Sequence, residues 1–526
     1  MFWTIDRAAE PPGGAAVSRR GWLLGCVAML SPVATFLAAC SKKPARQESP
    51  NAGPLRIDNV TVVDPRDGSE QPAMSIFMNN GTIVSVLPTD DMRTEGSVTT
   101  VDGRNRFAVP GYNNMHSHAL IAKRPELLLA TMLAEGVTGF RQMSGSAKLL
   151  KARDERRLPL GVYAPDLLVM PGDLLLPFNA RSPEEARAQV NRQHRQHADF
   201  IKIILLPRAA FFAAIDEAKR LGLPTAGHLP PDISPLEASK AGYGSIEHFG
   251  TGNPFWLDCS VDHAALWGVK TNDAPIPWWV MRVPVLGDFA MSKVQGRLIN
   301  PTEFDSPATV ALRQRALDSF DIGQCRALAQ VFRANNTWQV PTLVWERGQW
   351  LIDKTDLQHE PLDKYVPLYW KGKTYPRFVT SILATLDTDP ISFRERYVEM
   401  EMEMTAAMHR AGVPFLAGTD TAAGVYVVPG FSLHEEMELF QQAGFTPMEA
   451  LQTATSNPAR FLGTEATMGS VAPGKIADLV LLNADPTVDI HNARKIESVV
   501  LAGKYFSRDD LDNLLLQVQQ AALKIR

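Results

Sequence analysis

Two histidines separated by one residue, His116 and His118, are the first feature of this sequence that could do chemistry. On a β-strand, residues i and i+2 face the same side, so both imidazoles can reach one metal ion from a single strand end. By itself, the pair leaves a metal site and a purely structural role equally open.

Lys202 is a charged residue in the otherwise apolar segment 200–204. Strand alternation would turn Ile201 and Ile203 to one face and Lys202 to the other, which in a barrel is the interior. A buried ammonium is costly unless it is paired or neutralised. Reaction with carbon dioxide would convert the amine into an anionic carbamate that can bridge two metal ions. The alternative is a lysine at a strand end whose ammonium reaches water.

Three further residues, His228, His248 and Asp420, each follow a short apolar segment. Active sites of β/α barrels are built from the carboxyl ends of the strands. A single histidine there is more often structural, but the whole set predicts a metal-dependent active site. The predicted ligands are His116, His118, Lys202, His228, His248 and Asp420. Nitrogen and oxygen donors of this kind suit zinc.

The segments that must position these residues alternate apolar strands with helices, which predicts an α/β fold with a parallel sheet. Eight candidate strands fit a (β/α)8 TIM barrel. They are residues 107–109, 137–141, 167–170, 200–205, 224–227, 245–247, 339–343 and 413–417.

The two ends of the body have a different pattern, with short alternating strands and turn signals at 54–109 and again at 466–506. Together they predict a small discontinuous β-sandwich domain. The barrel would span 110–465, with an insertion at about 250–335, and 507–526 would form a C-terminal helix. An insertion this long is either a lid over the site or a packed subdomain away from it.

The composition excludes some classes of protein. The 526 residues are 45% hydrophobic and 21% charged, as in an ordinary globular protein. A net charge of -4 and the lack of a basic stripe argue against a nucleic-acid partner. Four cysteines are too few for a disulfide scaffold, and the sequence leaves open whether Cys259 and Cys325 pair.

The first forty residues have the features of an export signal. Ser18-Arg19-Arg20 precedes an apolar run at 21–39, which is typical of a secretory signal, although its length also permits an uncleaved membrane helix. The run ends at Cys40 in a sequence that resembles a bacterial lipobox, and the paired arginines resemble a twin-arginine export signal. We therefore expect a polar tether at 41–53 and a lipid anchor on Cys40, which would hold the protein to a membrane of the bacterial cell envelope, facing the periplasm or the outside.

Five motifs together resemble the amidohydrolase superfamily, in particular its imidazolonepropionase-like branch, which includes Xaa-Pro dipeptidases. They are residues 109–118, 198–203, 418–420, 451–460 and 469–480. The resemblance covers roughly residues 54–506, and the C-terminal motif is specific to the superfamily.

The resemblance implies two divalent metal ions, bridged by carboxylated Lys202 and a hydroxide. His116, His118 and Asp420 would hold one ion, and His228 and His248 the other. Asp420 would also be catalytic, taking a proton from the bridging water and passing it to the leaving amine. The implied reaction is hydrolysis of an amide bond, with dipeptides as one substrate class.

Two residues depart from the family pattern. Asn114 and Gln142 stand where the family commonly has aspartate. Neither position is a metal ligand in the family, so the departures bear on the groups that surround the metals and on the substrate.

The substrate itself is not read from the sequence. Arg141 and Arg208, near the ends of strands two and four, are candidates for binding a substrate carboxylate, and His434 is a candidate substrate contact at the site mouth. Hydrolysis of cyclic amides or phosphoesters at the same metals is an alternative. A non-catalytic barrel lipoprotein used for binding is another, and assembly into a homo-oligomer stays open.

Overall fold

The structure is a computed structural model that describes residues 53–93, 96–249, 254–269, 306–351, 361–367, 379–380, 391–422, 424 and 426–524. The predicted export signal, Cys40 and nearly all of the tether lie outside the described residues, as does a large part of the predicted insertion.

The described strands fall into three sheets. They are β1 Leu55–Val63, β2 Glu70–Asn79, β3 Thr82–Pro88, β4 Thr99–Asp102, β5 Phe107–Pro110, β6 Tyr112–Ser117, β7 Val137–Gln142, β8 Asp166–Val169, β9 Ile201–Ile203, β10 Thr225–Gly227, β11 Ser245–Glu247, β12 Trp338–Val340, β13 Leu479–Leu482, β14 Ile496–Leu501 and β15 Lys504–Ser507.

Helices connect most of the strands in the middle of the chain. They are α1 Pro125–Ala134, α2 Ala147–Asp154, α3 Pro183–Arg195, α4 Arg208–Arg220, α5 Pro235–Ala241, α6 Pro254–Asp258, α7 His263–Trp267, α8 Pro307–Asp318, α9 Ile322–Ala334, α10 Leu343–Trp350, α11 Ile391–Arg410, α12 Phe431–Gln442, α13 Pro447–Ala454, α14 Ser456–Leu462 and α15 Arg508–Ala522.

Strands from both ends of the described chain share one sheet of eight strands. The order is β15-β14-β13-β5-β1-β2-β3, and β4 pairs with β1. Side chains such as Ile57, Ile76 and Leu479 are completely buried in an apolar cluster on this sheet. The two β-rich ends therefore meet in space, while the second layer that a sandwich requires stays a prediction.

The prediction that residues 107–109 form the first barrel strand is wrong. Phe107–Pro110 is β5, which pairs with β1 and β13 in the eight-stranded sheet. The strand that leads to the first histidines is β6, which begins after Gly111. A Cβ on Gly111 would lie 2.1 Å from Thr138 Oγ1, so only glycine lets the chain pass this close to β7.

Two parallel sheets carry the middle of the chain, with strand orders β6-β7-β8 and β12-β11-β10-β9. Segment 413–417 lies between them, although only Phe415 in it forms a β-bridge, to Gln339. The amide of Leu416 donates to Gln339 O at 3.0 Å, and the amide of Met115 donates to Ala417 O at 2.9 Å. On the other side, Leu175 forms a parallel bridge to Ile203.

Local signals set the helix starts that the sequence predicts. The hydroxyl of Ser182 accepts the amide of Glu185 at 3.2 Å, with Pro183 as the first residue of α3. This cap satisfies a backbone N–H that has no partner within the helix, so α3 begins where the sequence predicts.

The described parts of the predicted insertion are packed rather than extended. Trp256 is almost completely buried, and its Nε1 donates to the Tyr397 hydroxyl of α11 at 2.8 Å. Cys259 and Cys325 form a disulfide with Cα atoms 4.6 Å apart, which resolves the question left open by the sequence. The last part, α9, packs against α5 and α11.

No helix within the described ranges has both the length and the apolar character needed to cross a membrane.

Candidate metal centre

Three of the predicted ligands form a compact group. His116 lies near the end of β6, His248 directly follows β11, and Asp420 follows the bridged segment 413–417. One ligand atom from each lies within 4.8 Å of the others, and all three side chains are buried. Two imidazoles and a carboxylate at this spacing fit a divalent transition metal such as zinc.

His118 and His228 extend this group on either side. His118 Nε2 lies 2.9 Å from Asp420 Oδ1, while His116 Nε2 lies 3.3 Å from the same oxygen. The ring centroids of His228 and His248 are 4.9 Å apart. The five predicted histidine and aspartate ligands therefore form one continuous cluster.

Lys202 lies on β9, beside Ala226 of β10, and is completely buried. Its Nζ has no hydrogen-bond partner. Burial lowers the pKa of Lys202 to about 8, although the charges of Glu247 and Asp420 act in the opposite direction. A buried amine with no partner fits a group that is neutralised or modified rather than a free ammonium.

The backbone is unusual at two of the predicted ligands. His248 and Asp420 have positive φ angles of 60° and 55°. This left-handed conformation is rare for residues other than glycine and costs about 1–3 kcal/mol at each position. Such strain persists only where the surrounding structure holds it, and it turns both side chains towards the cluster.

Gly418 lets the chain that follows segment 413–417 approach β6 closely. A Cβ at this position would lie 2.6 Å from His116 Cβ and 2.9 Å from His116 N, too close for any other residue. The amide of Asp420 then donates to His116 O at 2.9 Å. The glycine in the predicted motif therefore brings Asp420 beside the first histidine.

A hydrogen bond sets the tautomer of His248. Its Nδ1 lies 2.6 Å from Thr342 Oγ1, and this hydroxyl donates its own proton to the carbonyl of Pro341. Thr342 must therefore accept the Nδ1 proton of His248. The lone pair of His248 Nε2 is left free for a metal ion.

The residues that depart from the family pattern support the ligands from behind. Asn114 Oδ1 accepts the amide of His116 at 3.1 Å, and its Nδ2 donates to Thr419 Oγ1 at 2.8 Å. Gln142 Nε2 donates to Ser144 Oγ at 3.1 Å, and Ser144 in turn contacts His118 Nδ1 at 2.7 Å. Uncharged amides thus hold the backbone and side chains of the cluster.

The cluster favours neutral imidazoles. Burial lowers the pKa of His118, His228 and His248 from the ordinary value, and for His228 and His248 the shift is large. Metal ions bind neutral imidazole, so the buried environment prepares the rings for coordination.

Arg141 does not occupy the place expected of a substrate-carboxylate contact. It is 1% exposed, and its Nη2 lies 2.8 Å from Glu247 Oε1. Glu247 Oε2 also lies 2.8 Å from His116 Nδ1. The prediction for Arg141 is therefore corrected, because its guanidinium is already occupied by a buried carboxylate beneath the ligands.

Sequence reasoning missed Glu247, which directly precedes His248. The available signal was a carboxylate at the end of a short apolar strand, adjacent to a predicted ligand.

His434 and Arg208 also have other partners. His434 is 1% exposed, and its Nε2 donates to the carbonyl of Glu135 at 3.0 Å. Its ring packs edge-on against Tyr112, at the start of β6, so the expectation that it lies at the site mouth is corrected. Arg208, half exposed at the start of α4, pairs with Glu237.

The comparisons with known proteins agree with this architecture. Residues 374–505 match the model of the amidohydrolase family. Imidazolonepropionase from Geobacillus kaustophilus (strain HTA426) is 37% identical over 103 residues, which are 19% of this chain and 24% of that protein. These matches agree with the predicted resemblance to the amidohydrolase superfamily. The matches to imidazolonepropionases support the predicted resemblance to that branch.

Other curated relatives match over similarly short regions. Ochratoxinase from Aspergillus niger is 33% identical over 101 residues, or 18% of this chain and 20% of that protein. The chain thus spans about a quarter or less of the length of these curated relatives.

Solved structures resemble this chain over most of its length. A bottromycin amidohydrolase has a TM-score of 0.62 at 19% identity, with 93% of this chain and 94% of that chain covered. A Xaa-Pro dipeptidase with methionine bound in its active site has a TM-score of 0.56 at 17% identity, covering 86% of this chain and all of that one. These likenesses confirm a fold of the TIM-barrel type.

Proposed function

We propose that this protein is a metal-dependent hydrolase of carbon–nitrogen bonds, in particular amide bonds. The observation that carries the proposal is the group of His116, His248 and Asp420, whose ligand atoms lie within 4.8 Å of one another. It is joined by His118 and His228, and by the completely buried amine of Lys202. The resemblance of residues 374–505 to the amidohydrolase family supports the same reaction class.

The residues present fit a centre of two metal ions. His116, His118 and Asp420 would hold one ion, His228 and His248 the other, and carboxylated Lys202 would bridge them. When bound, the ions lower the pKa of a water molecule and polarise the scissile carbonyl. Zinc suits these nitrogen and oxygen donors.

Asp420 has the position for proton transfer in this proposal. Its Oδ1 lies beside the Nε2 atoms of His116 and His118, and the side chain is only 8% exposed. A carboxylate held there would accept the proton released by the attacking water and return it to the nitrogen of the leaving amine. Burial excludes bulk water from both transfers.

We propose dipeptides or N-acyl amino acids as the substrate class. Support comes from the Xaa-Pro dipeptidase with bound methionine and from a prolidase complexed with N-methylphosphonate-L-proline, which covers 86% of this chain at 18% identity and a TM-score of 0.55. Half-exposed Arg208, which follows β9, stays the candidate contact for a substrate carboxylate.

Two further features complete the proposal. The hydrogen bonds through segment 413–417 and the bridge from Leu175 to Ile203 support closure of the two parallel sheets into an eight-stranded barrel. The sequence motif ending at Cys40 supports a lipid-anchored protein of the bacterial envelope, exported by the twin-arginine route.

The deciding experiment is elemental analysis of the purified chain, followed by a substrate screen with the zinc-loaded protein. We expect two metal ions per chain and release of free amino acids from dipeptides or N-acyl amino acids. Cleavage of only lactams or phosphotriesters would redirect the substrate class. A folded protein that binds no divalent metal would overturn the proposal that it is a metal-dependent enzyme.

A further inference from the structure

We propose that Arg141 and Glu247 are positioning residues, which present His116 Nε2 to the metal and so set the affinity of the centre for zinc. This inference rests on the proposed function, because it requires a metal at the cluster. It gives Arg141 a role inside the barrel rather than in substrate binding.

Glu247 is the centre of the arrangement and is completely buried. Its Oε2 lies 2.8 Å from His116 Nδ1, and its Oε1 accepts the hydroxyl of Ser245 at 2.6 Å. Both of its oxygens lie within hydrogen-bond distance of the permanently charged guanidinium of Arg141. The group is therefore an anion that can only accept hydrogen bonds.

Because Glu247 only accepts, the proton in its contact with His116 lies on Nδ1 of the ring. The neutral imidazole then carries its lone pair on Nε2, the atom that lies 3.3 Å from Asp420 Oδ1. A hydrogen bond to a carboxylate also makes the imidazole a stronger electron donor to a metal.

Arg141 offsets the free-energy cost of burying the Glu247 carboxylate. Its Nη2 reaches both oxygens of Glu247, at 2.8 and 2.9 Å, and its Nε donates to the Met115 carbonyl at 2.5 Å. Its Nη1 donates to Ser245 Oγ at 3.1 Å. The guanidinium is thus held on three sides, and nothing in these contacts leaves it free to reach a substrate.

The pair connects strands that are distant in the barrel. His116 is on β6, Arg141 on the neighbouring β7, and Glu247 on β11 of the other parallel sheet. The ion pair therefore fixes the first ligand strand relative to the strand that ends at His248. A loss of the pair would move or rotate a ligand even where the fold survives.

His116 differs in this respect from two neighbouring ligands. The Nδ1 atoms of His118 and His248 contact uncharged hydroxyls, of Ser144 and Thr342. Of these three rings, His116 alone contacts a carboxylate through Nδ1, so we expect a change at Glu247 to weaken the metal ion bound by His116 most.

The test measures zinc affinity by competition with a chromophoric chelator, in the full chain with bicarbonate present. We expect Glu247→Gln to weaken zinc binding by about 10- to 100-fold, the usual effect of removing a partner of a metal-bound histidine. Glu247→Gln also leaves Arg141 buried without a counter-charge, so the double variant Arg141→Met with Glu247→Gln is measured beside it. We expect the double variant to fold and to bind zinc as weakly as Glu247→Gln.

The chain offers a matched control. His197 Nδ1 lies 2.9 Å from Asp154 Oδ2 in an exposed pair of the same kind, which includes none of the predicted ligands. Asp154→Asn removes that carboxylate, and we expect its zinc affinity to equal that of the unaltered protein. A folded double variant that binds zinc as tightly as the unaltered protein would overturn the positioning role.

The tautomer gives a second readout that does not depend on activity. In ¹⁵N spectra of the full chain labelled at histidine, with the His116 signals identified from a His116→Gln variant, we expect the proton on Nδ1 before and after zinc is added. A proton on Nε2 in the zinc-free protein contradicts the inference. A third outcome is an unaltered protein that binds no zinc but has its proton on His116 Nδ1. That result would overturn the proposed function and the role of Glu247 in zinc affinity, and it would leave only the tautomer assignment standing.

Discussion

Lys202 shows at the scale of one residue how stability and function oppose each other. Its amine is completely buried and has no hydrogen-bond partner. An unpaired buried polar group costs about 1–3 kcal/mol. The protein keeps this group within electrostatic reach of Glu247 and Asp420, which we attribute to its proposed role as a bridging carbamate.

We therefore predict opposite effects of Lys202→Met on stability and activity. Methionine fills a similar volume without a charge, so the metal-free variant should be more stable than the unaltered metal-free protein by about 1 kcal/mol. The variant should lose its hydrolytic activity and at least one metal ion. Urea denaturation, elemental analysis and the substrate screen measure these effects. Retention of two metals and full activity would show that Lys202 is not a bridging ligand.

At the scale of secondary-structure elements, three helices bring buried carboxylates together. Glu346 on α10, Glu401 on α11 and Glu436 on α12 are each at most 1% exposed. Burial raises the pKa of Glu436 to about 8, with a further contribution from Glu346, although the amides of Val344 and Leu343 act in the opposite direction. The packing of these helices thus favours the protonated form of Glu436.

This packing predicts a pH-dependent stability. The raised pKa of Glu436 means that the folded state binds a proton that the unfolded state releases above about pH 4.5. Its contribution to stability is complete below that pH and is lost as the pH rises through about 8. Glu436→Gln keeps an acceptor for the Val344 amide but cannot ionise. The variant should lose less stability than the unaltered protein between pH 5 and pH 9.

Urea denaturation at the two pH values measures this difference. Glu465→Gln, which removes an exposed carboxylate, is the control for loss of one charge. An equal loss of stability in the unaltered protein and in Glu436→Gln would refute the assignment.

The disulfide connects the end of α6 to α9 across a sequence separation of 66 residues. Constraint of a loop this long in the unfolded chain stabilises the folded state by about 2–4 kcal/mol. We predict that Cys259→Ser with Cys325→Ser lowers the melting temperature, and that a reductant lowers the melting temperature of the unaltered protein but not of this variant. Equal melting temperatures with and without reductant for the unaltered protein would argue against the disulfide.

At the scale of the whole molecule, the cluster joins distant parts of the chain. His116 and Asp420 are separated by about three hundred residues, and the segments that carry them meet through backbone hydrogen bonds such as that from the Asp420 amide to His116 O. A metal ion bound to both would stabilise the folded state relative to the unfolded state. Metal binding and global stability should therefore be coupled.

We predict that chelation lowers the melting temperature of the whole protein, and that zinc with bicarbonate restores it. A ligand present at 100 times its dissociation constant contributes about 2.7 kcal/mol. Calorimetry with and without chelator measures the shift, and Lys202→Met, with fewer bound metals, should shift less. An unchanged melting temperature after complete metal removal would contradict the coupling.

The sequence by itself predicted the type of fold, the resemblance to the amidohydrolase superfamily and the residues of the cluster. The alternation of side chains along a strand depends only on local sequence, so short apolar strands followed by polar residues could be recognised. His116 and His118 share a face because of strand geometry alone. The disulfide and the pairing of the two β-rich ends needed distances between remote residues, which local patterns do not contain.

Only the tertiary structure decided what surrounds the cluster. The sequence position of Arg141 predicts a cation near the end of a strand. Its partner, Glu247, lies on a strand about one hundred residues away. Whether a charge faces a substrate or a buried counter-charge depends on which strands meet across the interior, and packing alone settles that. The residues of the cluster could thus be read from the sequence, whereas the side chains that contact the cluster from behind became visible only in the fold.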